Sequence, residues 1–244
     1  MTQKVTLWTL WKKDMYRARF GFAVIVISIA AWNLFLYLQQ MDWSKDVILI
    51  LSLAPLVTLP FFAFINGFTF LRREWNNKSI VQLHKLQVKS ANILASKLLT
   101  LYVQIVLFTF LVLFCIMFIW KQPAFSHFST GSVIIFILIF SALLTGLGVI
   151  SQFSYVAGKM VKKSSWLVSL WVFFLTLWGV MKLTQYLLPL FVWFPSLPVQ
   201  MDFLNQSGLQ SLVIDTSPLG ALTSSIVLIF LLGVWLLEKY VETQ

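Results

Sequence analysis

Six apolar blocks, each about 20 residues long, govern what this chain can become: 20–38, 47–71, 98–120, 132–153, 166–187 and 218–237. A helix of that length matches a hydrocarbon layer roughly 30 Å thick. In lipid every backbone polar group must be satisfied within the protein, which favours helices for blocks of this kind. The balance of residues agrees, with 59% apolar and only 11% charged, where a soluble domain carries about 25% charged. The blocks leave no length for a separate soluble domain. Residues 1–244 therefore read as one all-α transmembrane domain of six helices.

The formal charge of +10 invites a nucleic-acid reading, but its distribution argues against one. The basic residues sit in short runs between apolar blocks, as the positive-inside rule requires. With the N-terminus inside, Lys4, Lys12, Lys13, Arg17 and Arg19 precede the first span, and Arg72, Arg73, Lys78, Lys85, Lys89 and Lys97 fall in the next inner segment. Lys159, Lys162, Lys163 and Lys239 complete the inner set, against Lys45 and Lys121 outside. Fifteen against two predicts both termini on the cytoplasmic side; the expected location is a plasma membrane, in a bacterial host. The first block exceeds a signal-peptide core and ends LYLQQ without a small-residue cleavage site, so it reads as a retained span.

Three segments outside the spans carry further information. In 6–19, Leu7, Trp8, Leu10, Trp11 and Met15 share one helical face, with Lys12, Lys13, Tyr16 and Arg19 largely on the other. That pattern predicts a helix lying in the bilayer interface. In 72–97, Ile80, Leu83, Leu86 and Val88 recur at helical spacing among Lys78, Gln82, Lys85 and Lys89, with Glu74 the single acid. A basic amphipathic hairpin of this kind docks on a soluble partner or lies on lipid; a soluble partner is the expectation. Segment 188–217 is too apolar for a free loop and too short and proline-broken to span, with Pro189, Pro195 and Pro198. A re-entrant pair of short helices fits it. Pro55 and Pro60 predict a kink or local unwinding in the second span.

These residues together resemble the membrane subunits of type-2 ATP-binding-cassette exporters, over most of the chain. The likeness lies in the basic amphipathic N-terminal (elbow) helix, six spans with both ends inside, the inner loop and the hairpin before the last span. Within the loop, Glu74, Ser79, Ile80, Leu83, Leu86, Val88, Ser90 and Lys97 stand in the family's order. Gln87 stands where the family often has proline. The resemblance implies a coupling helix made by Glu74, Lys78, Ser79, Ile80, Leu83, Lys85 and Leu86, seated in a cytoplasmic ATPase subunit. It also implies a second permease subunit, identical or homologous. ATP and magnesium would be bound by the partner, since the chain has no Gly-rich phosphate loop: Asn77-Lys78-Ser79 lacks the glycines. The permease itself would be no enzyme and hold no cofactor.

Other chemistries find little support. The acids Asp14, Asp42, Asp46, Glu74, Asp202, Asp215, Glu238 and Glu242 all fall outside the apolar blocks. An ion-coupled carrier, the runner-up, usually needs an intramembrane acid or a broken-helix site. An intramembrane enzyme, the third reading, needs clustered catalytic groups. His84 and His127 fall on opposite sides of the membrane with no ligand cluster, so no metal site is expected. Cys115 reads as a buried packing residue, and Asn205-Gln206-Ser207 as a chance sequon. Lys182 is the single charge inside a span. It either snorkels to the outer interface or, with Trp178 and Phe174, contacts an anionic group on the cargo. The expected cargo is hydrophobic or amphipathic: a peptide toxin or antimicrobial peptide ahead of a lipid or drug.

Overall fold

In a computed structural model of the chain, residues 6–76, 88–120, 130–161, 164–194, 197–200 and 211–242 are described. They form helices α1 (Leu7–Leu38), α2 (Lys45–Asn76), α3 (Ser90–Trp120), α4 (Thr130–Lys159), α5 (Ser165–Leu187) and α6 (Ser217–Glu242). Two four-residue strands, β1 (Leu197–Gln200) and β2 (Ser211–Ile214), pair antiparallel before α6. All six helices are long and apolar enough to cross a bilayer.

Helix α4 is the hub, packing against α2, α3, α5 and α6, while α1 packs chiefly on α3. The most apolar stretches of α3 and α4 are 44% and 39% buried, against 17–22% for the other four helices, which places these two at the centre. The main core joins Ile29 of α1, Leu59 and Ala63 of α2, Leu101, Ile105, Phe108 and Val112 of α3, and Leu144 of α4. Lipid tails are as apolar as leucine, so close packing rather than apolar burial alone must hold such helices together. Small residues supply it. A Cβ on Gly67 would stand 2.6 Å from the Ser151 Cβ, and one on Gly158 would stand 2.8 Å from the Ser165 carbonyl and collide with the Ser169 hydroxyl. Gly146 faces Ile226 and Gly148 faces Leu101, so the small residues of α4 serve packing within this chain.

Hydroxyl groups inside the spans mostly bond to their own helix. Thr100, Thr145, Ser151, Ser154 and Ser225 each donate to the carbonyl four residues back. Helix α2 continues without unwinding through Pro55 and Pro60, where a kink or local unwinding was expected. Proline at position 55 has no N–H, which frees the Leu51 carbonyl. The Trp32 indole N–H of α1 donates to that carbonyl at 3.0 Å, so a neighbouring helix supplies the missing partner.

Two expectations are corrected. The interfacial helix expected over 6–19 is not a separate element: residues 7–38 form one uninterrupted helix, about 48 Å long at 1.5 Å per residue. The cause lies in what its first turns touch, described below. The described residues of 188–217 also differ from a pair of short helices. They form a 3-10 turn over Leu188–Phe191 and then the β1–β2 ribbon. Pro189 stands at the start of the turn, and Pro198 in β1 denies the helix its hydrogen bonds.

Candidate functional site

One end of the bundle, here called basal, gathers the starts of α1, α3 and α5 and the ends of α2, α4 and α6. Trp75 at the end of α2 packs against Tyr155 of α4 and Tyr240 of α6, with ring centroids 5.7 and 5.2 Å apart. Lys159 lies over the Tyr155 ring at 5.5 Å.

The chemistry of this end is concentrated between α1, α2 and α3. Leu10, Asp14 and Ala18 repeat every four residues, which lines them along one face of α1, and all three are buried. That face lies against α3. Asp14 Oδ2 is 3.4 Å from Lys97 Nζ and 3.1 Å from Ser96 Oγ. The single Ser96 proton serves either Asp14 or the Ile93 carbonyl at 3.0 Å. From α2, Glu74 Oε1 receives Lys97 at 3.4 Å, Lys13 at 3.1 Å and Arg17 at 3.3 Å. Lys97 therefore bridges the two acids. The residues at the centre are almost sealed: Glu74 is 2% exposed and Lys97 3%.

Burying charges this deeply costs several kcal/mol per ion unless each has close partners. Here the partners come from three helices, so the cluster forms only when those helices are docked. That explains the single long α1. Its first turns carry Asp14, Lys13 and Arg17 into the cluster, and Leu10 packs on Val88 and Ile93. These contacts bind α1 to both stems of the segment 77–87: Glu74 precedes it, and Val88, Ile93 and Lys97 follow it. A small cleft of about 20 Å³, roomy enough for one water, opens beside the cluster and is lined by Asp14, Arg17, Phe70, Arg73, Glu74 and Lys97.

Of the residues expected to contact an ATPase, Glu74 turns inward to this cluster. Lys78, Ser79, Ile80, Leu83, Lys85 and Leu86 lie outside the described residues, as do His84, His127 and Asn205-Gln206-Ser207. No protein-family model, no curated protein and no solved structure matches the chain.

Phe174, Trp178 and Lys182 fall four residues apart along one stripe of α5 and face away from the bundle, with Phe174 62% and Trp178 63% exposed. Lys182 Nζ lies 3.5 Å from Gln185 Oε1. Phe173, by contrast, is core, against Phe64 at 4.5 Å. Among the described residues no three His, Cys, Asp or Glu side chains converge.

Two features were not singled out in the sequence. Asp14 stands in the sequence among the acids outside the apolar blocks, although an acid at the four-residue spacing of Leu10 and Ala18 marks a buried face. The spans also hold more polar groups than their hydropathy conveys. Among the described residues, Gln152 is 2% exposed with both ends of its amide unpartnered, and the Gln104 carbonyl and the Thr109 and Ser141 hydroxyls are buried without partners too.

Proposed function

We propose that this chain is the permease subunit of an ATP-driven exporter, working beside a separate cytoplasmic ATPase and a second permease subunit. The observation that carries the reading is the brace around segment 77–87. A buried ion cluster and a small apolar contact tie α1, α2 and α3 together at the base of that segment. A push on the segment would then move three helices as a body, which is what a docking loop for a motor needs. The two residues that open and close the resembling motif, Glu74 and Lys97, are themselves an ion pair. In this reading the basal end is cytoplasmic, as the distribution of lysine and arginine requires.

The exposed stripe of Phe174, Trp178 and Lys182 suits contact with lipid, with the second subunit or with a hydrophobic cargo at that boundary. Leu190, Val192 and Trp193, 64–76% exposed after α5, suit a segment that dips into the outer leaflet. A peptide cargo remains the preferred class. The test is replacement of Ile80, Leu83 and Leu86 by aspartate. Insertion depends on the spans and should persist, whereas ATPase binding should fall at least about tenfold, equivalent to ~1.4 kcal/mol. Undiminished ATPase binding and export in that variant would remove segment 77–87 from the docking role.

A second reading, a stand-alone carrier, draws on the Gln104 side-chain carbonyl and the Gln152 amide, which have no partner among the described residues and give the spans polar groups to offer a solute. It predicts transport by the purified chain alone, abolished by Gln152→Leu.

A further inference from the structure

We infer that the basal cleft between α1 and α2 is a binding site for a phosphate-bearing anion, specifically the headgroup of an anionic phospholipid held between Arg17 and Arg73. The first observation is how charge is partitioned. Both acids of this corner, Asp14 and Glu74, are buried and already face Lys97. The cations around them point outward: Arg17 is 49% exposed and Lys13 33%, and Lys12, Arg19, Arg72 and Arg73 are all exposed. What the corner presents to its surroundings is therefore cationic.

The second observation is the cleft. Arg17 and Arg73 come from different helices and line the same opening. At about 20 Å³ it admits a water and not a phosphate, so the phosphate would rest on the rim with an arginine on either side. Planar guanidinium groups suit that contact, each offering paired donors to phosphate oxygens. Arg17 also touches Glu74, at 3.3 Å, and uses only one of its two terminal nitrogens there. Among the described residues its other donors make no hydrogen bond, so they can turn to a ligand.

The third observation places the site at headgroup depth. Trp8, Tyr16 and Phe20 project outward from the same part of α1, 53%, 64% and 78% exposed. Lys12 lies over Trp8 at 5.6 Å and Arg19 over Tyr16 at 3.8 Å. Aromatic rings beside cations mark the membrane–water interface, and basic pockets between helices at that level bind anionic headgroups. The site rests on this charge arrangement and not on the exporter reading.

The experiment places the full chain in nanodiscs of phosphatidylcholine, with or without 20% phosphatidylglycerol. It counts retained phosphatidylglycerol by native mass spectrometry and follows the thermal midpoint. Two arginines near an anionic surface are worth roughly tenfold or more in lipid affinity. Arg17→Gln with Arg73→Gln should therefore lose the retained lipid and its stabilisation, and Lys12→Gln, which lies outside the cleft, should keep both. Arg73→Gln alone leaves Lys13, Arg17 and Lys97 in place around Glu74 and should weaken retention about fivefold even if the double variant folds poorly. Equal retention by Arg73→Gln and the unmodified chain overturns the site. Equal loss in Lys12→Gln also overturns it, as diffuse surface attraction. Inorganic phosphate that stabilises the chain in pure phosphatidylcholine as well as phosphatidylglycerol does would overturn the lipid assignment in favour of a soluble anion.

Discussion

Lys97 is the residue on which the basal corner turns. It is nearly sealed and stands 3.4 Å from each of two buried carboxylates. Removing one member of such a set leaves uncompensated buried charge, which costs about 3–5 kcal/mol. Lys97→Met should lower stability by that order in thermal unfolding in detergent. Adding Asp14→Asn and Glu74→Gln should recover more than half of the loss, because neutral partners no longer need the cation. A second titratable group tests the other end of the molecule. The Ser217 hydroxyl, and then the Ser217 backbone N–H, donate to the exposed Asp215 carboxylate and hold it below its ordinary value of 3.8. A depressed carboxylate adds stability that is complete above its ordinary pKa and is lost as pH falls through the folded value. Amide exchange over the first turn of α6 should therefore quicken as pH drops below about 4, after correction for intrinsic rates. Asp215→Asn should flatten that dependence. Glu74 and Lys97 were legible in the sequence as a spaced pair within a resembling motif. Asp14 was not, because charge at a span's edge reads as solvated unless a partner on another helix is known.

At the scale of elements, hydropathy located all six helices but not their ends. The third span was expected from Leu98, and α3 begins at Ser90; the second was expected to end at Leu71, and α2 runs to Asn76. Hydropathy reports where lipid tails lie, while backbone hydrogen bonding carries the helix on through polar turns. The same distinction accounts for α1, whose amphipathic start is held by Asp14 and Leu10 against α3 and continues straight into the apolar run. Helix α2 passes Pro55 without unwinding, and the freed Leu51 carbonyl has the Trp32 indole N–H beside it. The α4–α5 hairpin gives the clearest test of packing. Gly158 lies against Ser165 and Ser169, beside Ser164 with its left-handed φ of 60°. Gly158→Leu should force these helices apart, with an overpacking cost of about 1–3 kcal/mol. Loss of a cysteine cross-link engineered between the starts and ends of α4 and α5 would report the separation.

For the whole molecule, the apolar blocks announced a six-helix membrane protein, and the structure organises it around α4 with α1 joined chiefly to α3. The sequence could not convey that the basal end is two different surfaces. Between α2, α4 and α6 it is aromatic, built on Trp75, Tyr155 and Tyr240. Between α1, α2 and α3 it is ionic, and that is the part tied to the stems of 77–87. The outward aromatic stripe on α5 was legible as composition, but its direction required the helix packing. We propose that the ionic corner braces segment 77–87, on which a motor ATPase docks. The most direct measurement is purification of the tagged chain from its native host in mild detergent, with the amount of any co-purifying ATPase quantified. One ATPase subunit per permease chain is expected, lost when Ile80, Leu83 and Leu86 are changed to aspartate. A chain that purifies alone and transports solute in liposomes without ATP would contradict it.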